Sequence, residues 1–230
     1  MIHISPEGLI GDTVIVITAD QVDSRGTPDA AAGALELLNG TFGDTLVLPA
    51  DRTAGDEIQL LVDTGRAALD IALVLTRGGR WSVGMGVGSV REPLGRDIRE
   101  SAGDAFIGAR SAVERAKKKP TRFAVVCRTA PAAAADVEAL ADLLLILRAR
   151  RSAQGWAMHD LLARGLTQAD AAAELGITPQ SASKRARAAD LRAEDAAIPP
   201  LARLVDALDP RFAPDSQYAL PLARAPKESR

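Results

Sequence analysis

A single cysteine, Cys127, excludes an internal disulfide, and nothing else in the chain points to an oxidising compartment. The two histidines, His3 and His159, are isolated in sequence and with one Cys make no metal-ligand cluster. Aromatic residues are only 3% of the 230, so Val, Leu, Ile and Ala must fill the core. No apolar run approaches the roughly 18 residues that a membrane span requires. The opening residues, MIHISPEG, lack the basic start and apolar stretch of a signal peptide. A cytoplasmic protein without a membrane partner is therefore expected. Nucleophile-elbow, Walker and Rossmann patterns are all missing, which removes the best-marked enzyme classes. Net charge is only −2, too little for a chain that coats nucleic acid with its whole surface.

That small net charge is unevenly placed. Residues 1–147 carry 15 Lys and Arg against 20 Asp and Glu, whereas residues 148–192 carry 8 against 4. The basic excess coincides with QADAAAELGITPQSASKRAR, residues 168–187. This stretch has the spacing of a helix-turn-helix. Ala172 is small where two helices must meet closely. Gly176 stands where a sharp turn needs φ > 0. Ile177 is the apolar plug, Thr178 the N-cap of the second helix, and Pro179 its first residue. The second helix carries Gln180, Ser181, Ser183, Lys184, Arg185 and Arg187, with Arg192 beyond. Such side chains suit the major groove and its flanking phosphates. Early positions on the helix, Gln180, Ser181 and Lys184, are expected at base edges; Arg185, Arg187 and Arg192 are expected at phosphates.

Upstream, residues 13–18 (TVIVIT) form a β-branched run typical of a central strand buried on both faces. Helical spacing covers 28–39 and stops at Asn39-Gly40. Short strands are expected over 45–48 and 58–62, with the polar stretch PADRTAGDE as a hairpin tip between them. A helix follows over 64–75. Residues 81–87 alternate cleanly: Trp81, Val83, Met85 and Val87 face one way, Ser82, Gly84 and Gly86 the other. A glycine strand face admits a close approach by a ligand, a partner chain or a packed helix. A helix over 101–117 ends in Lys117-Lys118-Lys119, read as a solvated helix end. A strand over 122–127 comes next, then one long helix over 132–154 suited to dimerisation, and a short helix over 198–208. The order is β-α-β-β-α-β and then further elements, which predicts an α+β, ferredoxin-like, mostly antiparallel sheet with helices on one face.

Four segments taken together resemble the SatD family of bacterial proteins over about residues 13–190. They are TADQVDSR from Thr18, GDEIQLL from Gly55, the glycine strand VGMGVGSV, and GDAF from Gly103 with Ala109-Arg110. More distantly, the first part is similar to the palm of class III nucleotidyl cyclases and diguanylate cyclases. That resemblance implies a nucleotidyl-cyclase-type domain in which Asp20 and Asp56 hold Mg²⁺ or Mn²⁺ against a nucleotide lined by Gly55, Gly84, Gly86 and Arg110. Ile107, however, stands where the cyclases have Asn. Ser111 stands where they have Arg, with Arg110 one residue short, and a shift of one turns a helical side chain by about 100°. The groups that would stabilise a transferring phosphate are therefore displaced, and the expectation is a non-catalytic domain.

The sequence thus predicts a cyclase-like α+β domain over 1–130, a linking and dimerisation helix over 131–155, a helix-turn-helix domain over 156–208 and a disordered tail over 209–230. The expected function is a homodimeric, DNA-binding transcriptional regulator that senses a nucleotide or another small ligand. The alternatives are a metal-dependent nucleotide-processing enzyme and an adaptor that binds protein through the glycine strand.

Overall fold

The structure, a computed structural model, describes residues 13–209 except 25, 92 and 96. The expected tail beyond 209 and His3 lie outside the described residues. Five strands make one mixed sheet: β1 (Thr13–Gln21), β2 (Leu46–Ala54), β3 (Glu57–Val62), β4 (Trp81–Ser89) and β5 (Phe123–Cys127), in the order β2-β3-β1-β4-β5. All neighbours are antiparallel except β4 and β5. TVIVIT lies at the centre as β1, flanked by β3 and β4. The β2–β3 hairpin is tighter than expected. β2 runs on through the polar stretch with register shifts, leaving only Gly55 and Asp56 at the turn. Gly55 has φ +57°, and added bulk there would meet nothing, so the backbone conformation is what requires glycine.

Helices cover both faces, not one. On the first face α1 (Ala31–Phe42), α2 (Gly65–Leu75), α4 (Pro131–Ala149) and α8 (Leu191–Asp206) close over Ile15, Ile17, Leu60, Val83, Met85 and Phe123. On the second, α3 (Asp104–Ala116) covers Val14, Val16 and Leu61 with Ala105, Phe106 and Ala109. A central strand apolar on both sides needs both layers, since each buried Val or Ile contributes about 1.5–3 kcal/mol. The glycine face of β4 is what brings α3 so near. A Cβ on Gly84 would fall 2.2 Å from Val113 N, and one on Gly86 2.1 Å from Ala105 O. The two glycines expected to admit a nucleotide admit a helix backbone instead.

Three further differences have local causes. Helix α1 continues past Asn39-Gly40 to Phe42. The Asn39 amide bonds the backbone of Ala50 on β2 in both directions, at 2.8 and 3.0 Å, and so acts across elements and not as a helix stop. The single long helix over 132–154 is two: α4 ends at Ala149, and Ser152 caps α5 (Ala153–Ala163) by accepting from Gly155 N. Finally, α8 begins at Leu191 and carries Pro199 and Pro200 in its interior. Each proline removes one i→i−4 bond, yet the helix persists because both its ends are packed. Leu191 joins the core of the C-terminal helices, while Leu201, Ala202 and Val205 join the sheet's core. Asp206 accepts from Gly65 N at 2.5 Å, so the far end of α8 caps the start of α2.

Candidate nucleic-acid interface

Three short helices build a separate small core. They are α5, α6 (Gln168–Glu174) and α7 (Pro179–Ala188). Met158, Leu161, Ala171, Ala172, Ala182, Ala186, Ala189 and Leu191 fill it. Alanine at the contacts lets the helices approach closely. Thr167 and Asp170 form a reciprocal capping box at the start of α6. The Thr167 hydroxyl and backbone hold the Asp170 carboxyl below its ordinary range. Gly176 sits at φ +62°, and Ile177 tucks in behind it, half-buried. The Thr178 hydroxyl accepts from Ser181 N at 3.2 Å, and Pro179 opens α7 where no N–H is needed.

The burial pattern of α7 fixes its outward face. Ala182 and Ala186 point inward, while Gln180, Ser181, Lys184 and Arg187 are exposed. At about 100° per residue these four lie within one 120° arc centred near Lys184. Ser183 and Arg185, both half-buried, flank that arc on either side. Arg192 is exposed at the start of α8. Among the described residues, Lys184, Arg185, Arg187 and Arg192 have no carboxylate within ion-pair distance. Many other cations in the chain are paired. Arg52 pairs with Asp29, Arg77 with Asp160, Arg110 with Glu57, Arg128 with Asp104, and Lys119 with Glu138 and Asp142.

The acidic edge has a different arrangement. Asp20 pairs with Glu57 across β1 and β3, which places its carboxylate beside the hairpin that carries Asp56. Lys117 reaches Asp20 Oδ2 at 2.9 Å and Glu114 at 2.7 Å. Arg110 reaches Glu57 at 3.3 Å, and the Thr53 hydroxyl donates to the same carboxylate at 2.6 Å. The lysine run expected to be only a solvated helix end thus closes on the sheet. Lys117, just past the end of α3, thus neutralises Asp20, and Arg110 on α3 neutralises Glu57, so a divalent ion at this edge would have to displace both cations. Arg110 faces a carboxylate, and Gly84 and Gly86 lie under α3. Ile107, on the outer side of α3, is 60% exposed.

Sequence reasoning missed a buried ionic hub where the small core meets the sheet. Glu194 on α8 accepts from Arg148 with one oxygen and from Arg151 with the other. Arg148 also donates to Leu73 O at the end of α2, and Arg151 to Ala189 O at the end of α7, each at 3.1 Å. Trp156 lies against the guanidinium groups of Arg77, Arg148 and Arg151 at 4.1, 4.9 and 4.5 Å. Burial, with Arg151 and Arg77 nearby, pushes Arg148 down to about 10. Arg151 Nη1 is buried without a hydrogen-bond partner among the described residues. The one available signal was the cluster Arg148, Arg150, Arg151 within the expected 132–154 helix, where it reads equally well as solvated surface charge.

No helix among the described residues is long and apolar enough to cross a membrane. Comparisons with protein-family models, curated proteins and solved structures found no match for the chain.

Proposed function

We propose that the chain is a DNA-binding transcriptional regulator in which α6 and α7 form a helix-turn-helix and α7 enters the major groove. The carrying observation is the outward arc of α7: Gln180, Ser181, Lys184 and Arg187 exposed together, with no acidic partner for the basic pair among the described residues. A cation left uncompensated in a chain that compensates so many others is available to phosphate. If Arg185, Arg187 and Arg192 each meet a phosphate, affinity per copy falls about fortyfold between 50 and 200 mM salt.

The sheet domain serves as scaffold and dimer element in this reading. Its strand order β2-β3-β1-β4 supports a ferredoxin-like, cyclase-type fold with β5 added at the edge. The dimer surface is the face of α4 and α8 where Leu140, Leu143 and Leu204 are exposed, Leu143 by 65%. A second copy would cover this apolar patch and set two α7 helices on a roughly palindromic site.

The test is retention of genomic fragments from the source organism at low salt. The chain is expected to select a few fragments, and Arg187→Ala to weaken all of them. If no fragment is retained above background, the reading is wrong.

A further inference from the structure

Both outer strands of the sheet are closed at their middle residue by side chains. On β2 that residue is Ala50, and the Asn39 amide of α1 accepts from its N–H at 2.8 Å and donates to its carbonyl at 3.0 Å. Two residues on, the Asp51 carboxylate accepts from Arg52 N at 2.7 Å. On β5 the middle residue is Val125. Glu138 of α4 accepts from Val125 N at 2.8 Å, and Arg115 of α3 donates to Val125 O at 3.2 Å. Arg115 also bonds both Glu138 oxygens, at 2.9 and 3.0 Å, and Lys119 reaches one of them at 2.7 Å.

These backbone groups face away from the sheet. In a parallel pair, alternate residues of a strand turn both their groups to the neighbour. Arg122 O accepts from Val83 N at 2.8 Å, so residues 122, 124 and 126 face β4 and Val125 faces out. Ala50 lies in the register shift between Leu48 and Asp51 and is not among the residues paired with β3.

An edge strand offers a row of unpaired N–H and C=O groups to any other strand. A facing residue of an antiparallel strand exchanges two bonds with one residue, giving an N–H and taking another. The Asn39 amide makes that exchange with Ala50, and the Arg115–Glu138 pair makes it with Val125. Packing alone does not call for such groups. An apolar side chain in their place would cover the edge and leave the N–H unpaired, and an edge left to water would be satisfied but open. Glu138 is instead a carboxylate only 8% exposed, held there by two cations and a backbone N–H. With Val125 taken, the outward groups of Phe123 and Cys127 stand on either side of the plug and cannot join one continuous ladder.

We propose that Asn39 and the Arg115–Glu138 pair are strand mimics that keep the sheet edges of two copies of this chain from pairing, so that a second copy docks by a helical face. The proposal does not rest on the DNA-binding reading. It bears on that reading only by directing the dimer contact to helices.

The test is light scattering on the full chain over a concentration series, with hydrogen exchange beside it. In the wild type, the Ala50 and Val125 amides are expected to exchange at least about a hundredfold more slowly than unstructured amides, although both lie on outer strands. Asn39→Ala and Glu138→Ala are each expected to raise the mean particle mass about twofold or more over the wild type, and the double variant further, because two open edges allow open-ended growth. Glu138→Gln, which keeps an oxygen for the Val125 N–H, is expected to hold the wild-type mass. Circular dichroism confirms folding. If Glu138→Ala does not fold, Arg115→Met, which frees Val125 O and keeps an unbranched stem, takes its place. Glu194→Ala is the control, since it loosens the hub and leaves both plugs. Folded plug variants with the wild-type mass overturn the proposal, and so does fast exchange of both amides in the wild type. Equal association by Glu194→Ala also overturns it, because the growth would then come from general loosening and not from the edges.

Discussion

Arg148 and Glu194 stand 46 residues apart in sequence and meet as an ion pair in the interior, their side chains 7% and 3% exposed. With Arg151 on the second oxygen, one carboxylate serves two guanidinium groups. Removing it leaves two buried cations with only carbonyls and the Trp156 ring to face. Glu194→Ala is expected to lower stability by about 3–5 kcal/mol, read as a shift in the urea midpoint. A loss below about 1 kcal/mol would mean that water already reaches the hub.

His159 lies beside the same hub, 3.7 Å from Glu194 and 3.1 Å from Asp160. Burial pushes its imidazole below 6.5; the Asp160 hydrogen bond opposes this, and Arg148 and Arg151 add to it. The unfolded chain therefore binds the proton more readily than the folded one. Stability from this group is whole above pH 6.5 and falls as pH drops from there toward the depressed folded value. Arg77 holds Asp160 below its ordinary range, so that carboxylate stays ionised throughout the window. Melting temperature is expected to decline from pH 7 to 5.5 in the wild type and to decline less in His159→Asn. A wild-type profile flat over that range contradicts the assignment.

Gly86 and Gly33 make a paired test of packing. Gly86→Ala drives a methyl into the backbone of α3, 2.1 Å from Ala105 O, and should cost about 1–3 kcal/mol or more. Gly33 is exposed inside α1 with nothing within 4 Å of an added Cβ. Gly33→Ala should stabilise by about 0.5–1 kcal/mol. Equal effects in thermal melts would show that α3 does not rest on β4 as described.

On α7, base contacts and phosphate contacts should separate in binding assays. Gln180→Ala and Lys184→Ala are expected to relax sequence preference by about 1–3 kcal/mol at particular base pairs. Arg187→Ala should weaken matched and mismatched sites alike and reduce the salt slope by about one. Uniform loss in all three variants would mean that the helix lies on the backbone and reads nothing.

Much of the layout is legible in local pattern. TVIVIT announces a central strand because nothing else tolerates six β-branched and apolar positions on both faces. Gly176, Thr178 and Pro179 carry their turn and cap chemistry in their own side chains. The glycine alternation of β4 also reads correctly as close approach, but whether a ligand or a helix makes the approach depends on residues 105–113, which pattern alone does not place. Asn39-Gly40 looks like a stop until the Asn amide is seen bonded to Ala50. Pro199-Pro200 looks like a break until the helix is seen anchored at both ends. The hub was the least readable feature. Arg148, Arg151 and Glu194 each look like solvated surface charges, and only the return of α8 to the sheet buries them together. Lys117 is a related case, because it belongs to a run that looks like a frayed end and yet closes on Asp20.

Helix α8 has one end in each core, with Leu191 under α7 and Val205 under the sheet. Those residues are 14 positions apart, a span of about 21 Å along the helix. Pro199 and Pro200 thin its hydrogen bonds midway, but Glu194 in its first half also grips Arg148 of α4 and Arg151, so the two cores stay coupled through the hub as well as along the helix. The chain should therefore unfold in one transition, with amides of α7 and of the sheet exchanging hydrogen on similar global terms. The small helical unit, despite its separate core, is not expected to behave as an independently folding module if cut away before α8.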